Sequence, residues 1–493
     1  MTNRSSLAVF TALALLGTSL GARAHQGDPD DSRTTTPIKH LLVIFDENES
    51  FDHYFGTYPY AQNPAGEPQF HPQDDTPTVN GLTPELRAHN PNPAGPFRLD
   101  RSQALTCDND NHYSDEQTAY NGGLMNQFAI LSAPASPACA PPVFVANLAM
   151  GYYDGNTVTA LWNYAQHFAM GDNFFASTFG TTVMGHLNLI SGQTHGASPL
   201  NVSGKIVNGS IIANVNPTHD DCSTGTNVIM SGQNVGDLLN ARNVTWGWFY
   251  GDWQSTASGP AVCQPIYNAH YAPFQYYTNT ANPHHRPPTS TAMIGYTDQA
   301  NHQYSLDDFW AAVAAHNLPE VVFLKPSVMN TGHAADSTPL AEQQFLVDTI
   351  NRLQQTPEWD EMAIMITYDD SDGWYDHVMP PIVSPSSDPA NDKLLGPGLC
   401  GSPAPGAYQD RCGYGPRLPL LVVSPFARRN SVDHHLMDQS SILRFIEDNW
   451  QLGRIGDQSF DAIAGGMKAL FDFDDHNGRN RRLILRPDTG EPR

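Results

Sequence analysis

Two apolar segments that both end in acidic residues constrain the fold of this chain more than any other feature. Residues 39–46 (KHLLVIFD) and 362–370 (MAIMITYDD) are apolar almost throughout, and residues 320–324 (EVVFL) and 418–424 (LPLLVVS) are similar. Strands with such continuous hydrophobicity are buried on both faces. Helical periodicity is found in residues 154–168, 235–241, 305–317, 341–355 and 440–450. We therefore predict an α/β fold, in which a central, largely parallel or mixed sheet is flanked by helices on both faces.

Proline and glycine shape much of the remaining chain, with 39 residues of each. Residues 58–108 and 382–415 are rich in both and lack periodicity, which is typical of long loops rather than of interdomain linkers. We therefore expect residues 39–493 to form a single domain that carries long loops.

The amino terminus has the pattern of a secretory signal peptide. An apolar run over residues 7–20 is followed by Ala22 and Ala24, small residues that flank a cleavage point. The run is too short for a membrane span, and none of the later segments approaches membrane length. We expect a signal peptide over residues 1–24, a polar segment over residues 25–38, and a mature protein that is secreted or periplasmic in a bacterium.

The cysteine content agrees with export. The chain has 6 cysteines, an even number, and each lies in a segment rich in Pro, Gly or Asn. Such cysteines form disulfides between loops in exported proteins. Among the 15 possible connectivities we expect the sequential one, Cys107–Cys139, Cys222–Cys263 and Cys400–Cys412.

The charge of the chain bears on its partners. There are 25 Lys and Arg against 50 Asp and Glu, a formal net charge of −25. Binding to nucleic acid needs Lys and Arg to neutralise phosphates, so we expect no nucleic-acid partner. A small phosphorylated substrate is still compatible with this charge, because a bound metal ion can reverse the local sign.

The acidic ends of the two apolar segments predict a metal site. Asp46, Glu47 and Asn48 end the first segment, and Asp369 and Asp370 end the second. Ligands collect at the carboxyl ends of strands in open α/β sheets, so neighbouring strands would bring these oxygens together. Clustered carboxylates need a cation among them. The alternative is that these acids cap helices or face solvent.

Loop histidines and one hydroxyl add to this prediction. Thr182 follows a glycine turn and opens a helix, where a metal could lower the pKa of its hydroxyl; the alternative is a helix cap. Histidines beside an acidic metal site contact phosphate or donate protons. Those in polar loops are His112, His284, His285 and His333.

Several motifs resemble one known family. Residues 46–57 (DENESFDHYFGT) are similar to the E-N-x-S-F-D-x-Y-F-G signature of the bacterial phosphoesterase family. That family includes phosphatidylcholine-type phospholipases C and acid phosphatases, within the alkaline-phosphatase-like superfamily. Further matches follow in the family's order at His112 with Glu116 and Gln117, and at residues 179–188, 282–285, 332–333 and 368–377.

The resemblance implies roles for individual residues. The implied metal ligands are Glu47, Asn48, Thr182, Asp369 and Asp370, and Thr182 also matches the hydroxyl nucleophile. The residues implied to bind the phosphoryl group are His112, His284, His285 and His333, and His112, His285 or His333 would protonate the leaving group. Two positions depart from the family: Thr181 stands where Pro is common, and His186 stands where another polar residue is common.

The metal implied is one divalent ion. Ligation by oxygen alone suits Ca²⁺, Mg²⁺ or Mn²⁺, while Zn²⁺ and Fe stay open.

Together these patterns indicate a secreted, metal-dependent phosphoesterase. Only about 40 residues follow Trp450, and the C-terminal extension of the longer phospholipases is absent. We therefore expect an acid-phosphatase-like enzyme that hydrolyses phosphomonoesters through a phosphothreonine intermediate. The alternative within the family is a phospholipase C that cleaves phosphatidylcholine-type phosphodiesters, with transient contact to a membrane surface.

Two alternatives come from other classes. A metal-stabilised binding protein needs the acids but no hydroxyl beside them. A Ser/His/Asp esterase needs a G-x-S-x-G turn, which the sequence lacks at any predicted strand–helix junction.

Overall fold

An eight-stranded sheet occupies the centre of the computed structural model. Its strands are β1 (His40–Asp46), β2 (Ala169–Gly171), β3 (Trp246–Tyr250), β4 (Gln303–Ser305), β5 (Val321–Lys325), β6 (Met362–Tyr368), β7 (Leu420–Val423) and β8 (Ser431–Asp433). Their order across the sheet is β4-β3-β5-β1-β6-β7-β2-β8. Of these described strands only β7 is antiparallel to its neighbours. The predicted, largely parallel sheet is confirmed.

The two strands that end in acids are direct neighbours. β1 pairs in parallel with β6 along its whole length, so that Asp46 lies opposite Tyr368. Every residue of β6 is buried, as is every residue of β1 after His40. Parallel neighbours end at the same edge of a sheet, so the chain leaves β1 and β6 side by side with its acidic residues.

The described residues also form nine α-helices. They are α1 (Phe51–Phe55), α2 (Pro84–Ala88), α3 (Tyr113–Tyr120), α4 (Thr159–His167), α5 (Thr182–Ser191), α6 (Val235–Ala241), α7 (Leu306–Ala314), α8 (Pro339–Leu353) and α9 (Gln439–Asn449). α8 starts before its periodicity predicts, because the Thr338 side chain accepts a hydrogen bond from the Ala341 N–H and Pro339 occupies the first turn.

Alternating side chains of β1 show that the helices cover both faces. The Phe45 ring contacts the ring of His186 in α5, with centroids 4.9 Å apart. The carboxylate of Asp46, the next residue, lies against Glu342 of α8. Successive side chains of a strand point to opposite faces, so α5 and α8 lie on opposite sides of the sheet. α5 packs with α6 and α9, and α8 packs with α4. The predicted arrangement is confirmed.

Loops outside the central sheet are joined by short strands and disulfides. The short strand pairs are Phe97–Arg98 with Gly151–Tyr152, Phe174–Phe175 with Met437–Asp438, Ile206–Val207 with Ser210–Ile211, and Trp253–Gln254 with Val262–Cys263; Asn227–Met230 pairs with both Ala197–Ser198 and Asn216–Pro217. The expected disulfides Cys107–Cys139, Cys222–Cys263 and Cys400–Cys412 are confirmed.

The structure describes residues 1, 33–254, 261–401, 406, 411–474 and 481–493. The expected signal peptide and most of the expected polar segment lie outside the described residues. Thr34–Arg493 form one compact unit, and Met1–Arg33 are a separate unit. Among the helices of the described ranges, none has the length and apolar character that a membrane span needs.

Candidate active site

The loops that follow β1 and β6 are joined by hydrogen bonds. The Asn48 backbone N–H donates to Asp369 Oδ1 at 2.9 Å, and Asn48 Nδ2 donates to Asp372 Oδ1 at 2.8 Å. Asn48 has a φ of 65°, a left-handed conformation that asparagine adopts more readily than most residues. The Asp370 N–H also donates to Asp369 Oδ1, at 2.8 Å. Asn48, Asp369 and Asp370 therefore belong to one network, as predicted, whereas the Asp46 carboxylate lies outside it, against Glu342 of α8.

Each predicted ligand of these two loops keeps one buried oxygen without a hydrogen-bond partner among the described residues. These atoms are Glu47 Oε2, Asn48 Oδ1, Asp369 Oδ2 and Asp370 Oδ2. Orphaned buried oxygens of this kind are costly unless a cation binds them. Three carboxylates and one amide are also the donors that a hard divalent cation prefers. The residues present therefore fit a metal ion.

The pKa values of these acids also indicate that a cation would stabilise the cluster. Burial, and after it the charge of Asp369, raises the pKa of Glu47 and of Asp370 well above the usual range. Such shifts describe the acids without a cation, and a divalent ion beside them would favour their charged forms.

Lys325, the last residue of β5, places a buried ammonium group against this cluster. Its Nζ donates to Glu47 Oε1 and, at 3.3 Å, to the carbonyl oxygen of Asp46. Nζ also lies 4.7 Å from the centroid of the Tyr271 ring. Because Lys325 holds one carboxylate oxygen of Glu47, the other oxygen is oriented and available to a cation.

His186, on α5, faces the same acids. Its Nε2 is 3.8 Å from Glu47 Oε1, and its Nδ1 is 3.8 Å from Asp369 Oδ2. A carbonyl oxygen can only accept, so Nδ1 donates to the carbonyl of Thr182 at 2.9 Å and Nε2 carries the lone pair. Burial, and then the Lys325 cation, lowers the pKa of His186 well below its usual value. A neutral imidazole of this kind adds a nitrogen donor to the oxygen set.

The start of α5 lies against the loop after β6. A Cβ atom on Gly185 would come within 2.1 Å of the Asp369 carbonyl oxygen, so only glycine permits this close approach. Thr182 precedes Gly185 by three residues and His186 by four, and residues at these spacings share one helix face. Thr182 therefore lies on the face that α5 turns to the acidic loops, and it is buried.

The two adjacent threonines differ in their contacts. Thr181 is the N-cap residue of α5, but its Oγ1 donates to Asn214 Oδ1 at 2.8 Å instead of capping the helix. The turn before it is held by Glu116, whose carboxylate accepts the Gly180 N–H at 2.9 Å and the Ser371 hydroxyl at 2.6 Å. Glu116 thus ties the turn that presents Thr182 to the loop after β6. Its burial raises its pKa to about 8.

Two of the predicted histidines lie on loops that border the acids. His112 is largely exposed, and its Nδ1 is 2.5 Å from Asp110 Oδ1. The neighbouring Asn111 donates to Asp370 Oδ1 at 2.9 Å. His333 is partly buried, and its Nδ1 donates to the Ala334 carbonyl at 2.6 Å. It follows Thr331, whose carbonyl accepts the Glu47 N–H at 3.2 Å.

The other two predicted histidines are paired with acids outside this edge. His285 is buried, with Nε2 3.1 Å from Asp220 Oδ1 and its ring 4.2 Å from that of Trp253. His284 is half-exposed, with Nδ1 2.8 Å from Asp221 Oδ2. The structure does not bring either side chain into the hydrogen-bond network of the acidic loops, within its described residues. Their role in substrate binding stays a prediction.

Two residues near the acids were not indicated by the sequence patterns. Lys325 carried a usable signal, because it directly follows the apolar run EVVFL and so ends a buried strand at the ligand-binding edge. His270 lies beside Tyr271 in a short turn that packs on α5. Burial, and then the Lys325 cation, lowers the pKa of His270 to about 3. No local pattern marks His270, since its position depends on tertiary packing.

Comparisons with known proteins identify the family of this chain. A model of the Phosphoesterase family matches residues 38–453. The chain belongs to this family and is a hydrolase that acts on phosphoric ester bonds.

Several curated relatives carry phospholipase names. The chain is 25% identical over 458 residues to Phospholipase C A of Mycobacterium tuberculosis, covering 89% of this chain and 78% of the relative. It is 23% identical to the Non-hemolytic phospholipase C of Pseudomonas aeruginosa, covering 92% of this chain and 60% of the relative. It is 22% identical to Non-specific phospholipase C6 of Arabidopsis thaliana, covering 80% of this chain and 63% of the relative.

Solved structures include a distant neighbour. A protein in the alkaline phosphatase superfamily from Vibrio parahaemolyticus aligns over 92% of this chain and 75% of that chain, with 9% identity and a TM-score of 0.33.

Proposed function

We propose that this chain is an exported, metal-dependent phospholipase C that cleaves phosphatidylcholine-type phosphodiesters. The observation that carries the proposal is the group of four orphaned oxygens, on Glu47, Asn48, Asp369 and Asp370, beside the helix that begins at Thr182. The names of several relatives favour a phosphodiester over the phosphomonoesters expected from the sequence. Three disulfides support export.

In this proposal one divalent cation is held by Glu47, Asn48, Asp369 and Asp370, with Thr182 beside it. Such a cation would lower the pKa of an adjacent hydroxyl and offset the negative charge of the phosphoryl oxygens. The neutral Nε2 of His186 is a further donor, which widens the choice of metal from Ca²⁺, Mg²⁺ or Mn²⁺ toward Zn²⁺ or Fe.

The chain's own residues then carry out two displacements. First, the Thr182 hydroxyl gives up its proton to solvent, and its oxygen forms a bond to phosphorus while the bond from phosphorus to the glycerol oxygen breaks. The glycerol oxygen takes a proton from a histidine and leaves as diacylglycerol. Water then attacks phosphorus and gives one proton to that histidine, the bond to Thr182 breaks, and the Thr182 oxygen takes the other proton as the phosphorylated head group is released. Lys325 contributes by orienting Glu47 rather than by contact with the substrate.

His112 is the histidine best suited to protonate the leaving group. The hydrogen bond to Asp110 is the largest effect on its pKa, which is raised from its usual value. His112 is therefore protonated over more of the neutral range than an isolated histidine. It also lies next to Asn111, which contacts Asp370.

A substrate panel tests the proposal. Purified protein is assayed with phosphatidylcholine vesicles, with p-nitrophenylphosphorylcholine and with p-nitrophenyl phosphate. We expect kcat/KM to be highest for the two phosphodiesters, by about tenfold or more over the monoester. A preference for p-nitrophenyl phosphate would return the protein to the acid-phosphatase class. Metal binding without turnover of any of the three would favour the metal-stabilised binding protein.

A further inference from the structure

An apolar cavity of about 420 Å³ lies beside the candidate active site. Its lining includes Leu105, Ala133, Pro134, Cys139, Val143 and Ala335. Asp108 is the one charged residue of this lining, all of which belongs to the described part of the chain. The volume falls within the roughly 300–1,000 Å³ that small-molecule sites occupy.

Two segments separate the cavity from the candidate active site and contribute to both. Residues 105–108 line the cavity, and the same segment continues to Asn111, which contacts Asp370, and to His112. Ala335 lines the cavity on the other side and comes two residues after His333. The Ala335 N–H donates to the Thr106 carbonyl at 3.0 Å, so the two segments are joined directly.

The acid at the inner end of the cavity belongs to the acidic network. The Asp108 carboxyl group lies against that of Asp372. Asp372 in turn accepts the hydrogen bond from Asn48 Nδ2 at 2.8 Å. One acid of the cavity lining is thus connected, through the side chain of Asp372, with a residue proposed to bind the metal.

Large apolar side chains are exposed on the first of these segments and on two turns near the candidate active site. Leu105 is 47% exposed, Ile130 is 55% exposed and Met329 is 53% exposed. Ile130 precedes Leu131, whose carbonyl accepts the Asp110 N–H at 2.8 Å. Met329 belongs to the turn Val328–Asn330, directly before Thr331. Loops that border the candidate active site therefore carry exposed apolar side chains.

We propose that this cavity binds the hydrocarbon end of the diacylglycerol leaving group of a phospholipid. The inference rests on the proposed function, in which His112 protonates the glycerol oxygen. Because Leu105 and His112 belong to one segment, a leaving group protonated by His112 has its hydrocarbon next to the cavity. Choline, phosphate and water-soluble alcohols gain nothing from such a lining, so the cavity selects lipid substrates.

Short-chain phosphatidylcholines below their critical micelle concentration provide the test, because they separate cavity binding from docking on a membrane. We expect kcat/KM of the wild type to rise with acyl length from four to seven carbons, by about tenfold in total. We expect Leu105→Asp to remove most of this rise relative to the rate on p-nitrophenylphosphorylcholine. Ala138→Leu, which fills the cavity from its rim, provides a second variant in case Leu105→Asp does not fold.

Leu200→Asp is the matched control, because Leu200 is an exposed leucine that does not line the cavity. We expect it to keep the full dependence on acyl length. A wild type whose kcat/KM does not change with acyl length would overturn the cavity inference and leave the proposed function intact. So would retention of the full dependence by both cavity variants. Absence of turnover on every phosphatidylcholine would instead reject the proposed function, and the cavity inference with it.

Discussion

At the scale of single residues, the hydroxyls of Thr181 and Thr182 have different surroundings. Thr181 Oγ1 donates to Asn214, which also accepts the Val183 N–H at 3.1 Å. Thr182 lies on the helix face that approaches Asp369. The sequence alone places both hydroxyls at the same turn. The hydrogen bond from Thr181 to Asn214 occupies the Thr181 hydroxyl, which supports Thr182 as the nucleophile.

Substitution of the two threonines tests this assignment. We expect Thr182→Ala to lower kcat on p-nitrophenylphosphorylcholine by at least about 10³-fold, because the attacking oxygen is lost. Thr182→Ser keeps a hydroxyl and should stay active, and Thr181→Ala should keep a substantial fraction of the wild-type rate. Mass spectrometry of acid-quenched enzyme should find the phosphoryl group on Thr182. Its presence on Thr181 would reverse the assignment.

The pair of His112 and Asp110 makes a prediction about pH. The pKa of His112 is raised above its ordinary 6.5, chiefly by the hydrogen bond to Asp110. The protonated imidazole is therefore present at low pH and is lost as pH rises through this raised pKa. We expect kcat/KM to fall on the alkaline side at a pH above 6.5, and Asp110→Asn to move that fall to lower pH.

The control for this pH profile is Asp221→Asn, which removes the partner of His284 instead. The alkaline fall should keep its position in that variant. If Asp221→Asn moved it and Asp110→Asn did not, the proton donor would belong to the region of His284 and His285.

At the scale of elements, a buried arginine joins the segments that follow β1 and β6. Arg417 donates to Asp52 Oδ1 at 3.1 Å and to Asp376 Oδ2 at 3.1 Å, and it is completely buried. Asp52 lies in the first turn of α1, which follows the loop of Glu47 and Asn48. Arg417 therefore sets the relative position of the two acidic loops without contact to their proposed metal ligands.

We expect Arg417→Met to lower the free energy of unfolding by about 3–5 kcal/mol, because Asp376 stays buried without its cation and Asp52 keeps only His377 as a partner. Urea denaturation of the purified variant measures this change. The control is Arg482→Met, which breaks a half-exposed pair with Asp360 and should cost no more than about 1 kcal/mol. Equal losses in the two variants would show that Arg417 is not an essential part of the framework.

The strands that the sequence indicated are those whose side chains are apolar on both faces. β1, β5, β6 and β7 have such continuous runs, and their bounds differ from the expected ones by two residues or fewer. β2, β4 and β8 have only three residues each, too few to show a period. β3 (WGWFY) contains a glycine, which weakens a strand pattern, yet its five residues are all buried.

At the scale of the whole molecule, the sequence located the acidic edge because parallel strands share the edge at which they end. The prediction of the metal site assumed that β1 and β6 are neighbours in the sheet. This sheet order depends on pairings between residues more than 300 positions apart, such as Asp46 with Tyr368. The contribution of His270 could not be predicted, because it arises only when the turn that contains it packs on α5. Lys325, by contrast, carried a signal in the sequence as the end of a buried strand.

Metal content is the measurement that tests the central claim most directly. Elemental analysis of the purified chain should find about one divalent ion per molecule, and Asp369→Asn should lose it, whereas Asp74→Asn, at an exposed acid, should keep it. A metal concentration 100 times the Kd should also stabilise the wild type by about 2.7 kcal/mol, seen as a rise in Tm that Asp369→Asn lacks. Full activity in a wild-type preparation without metal, or a full metal complement in Asp369→Asn, would contradict the account.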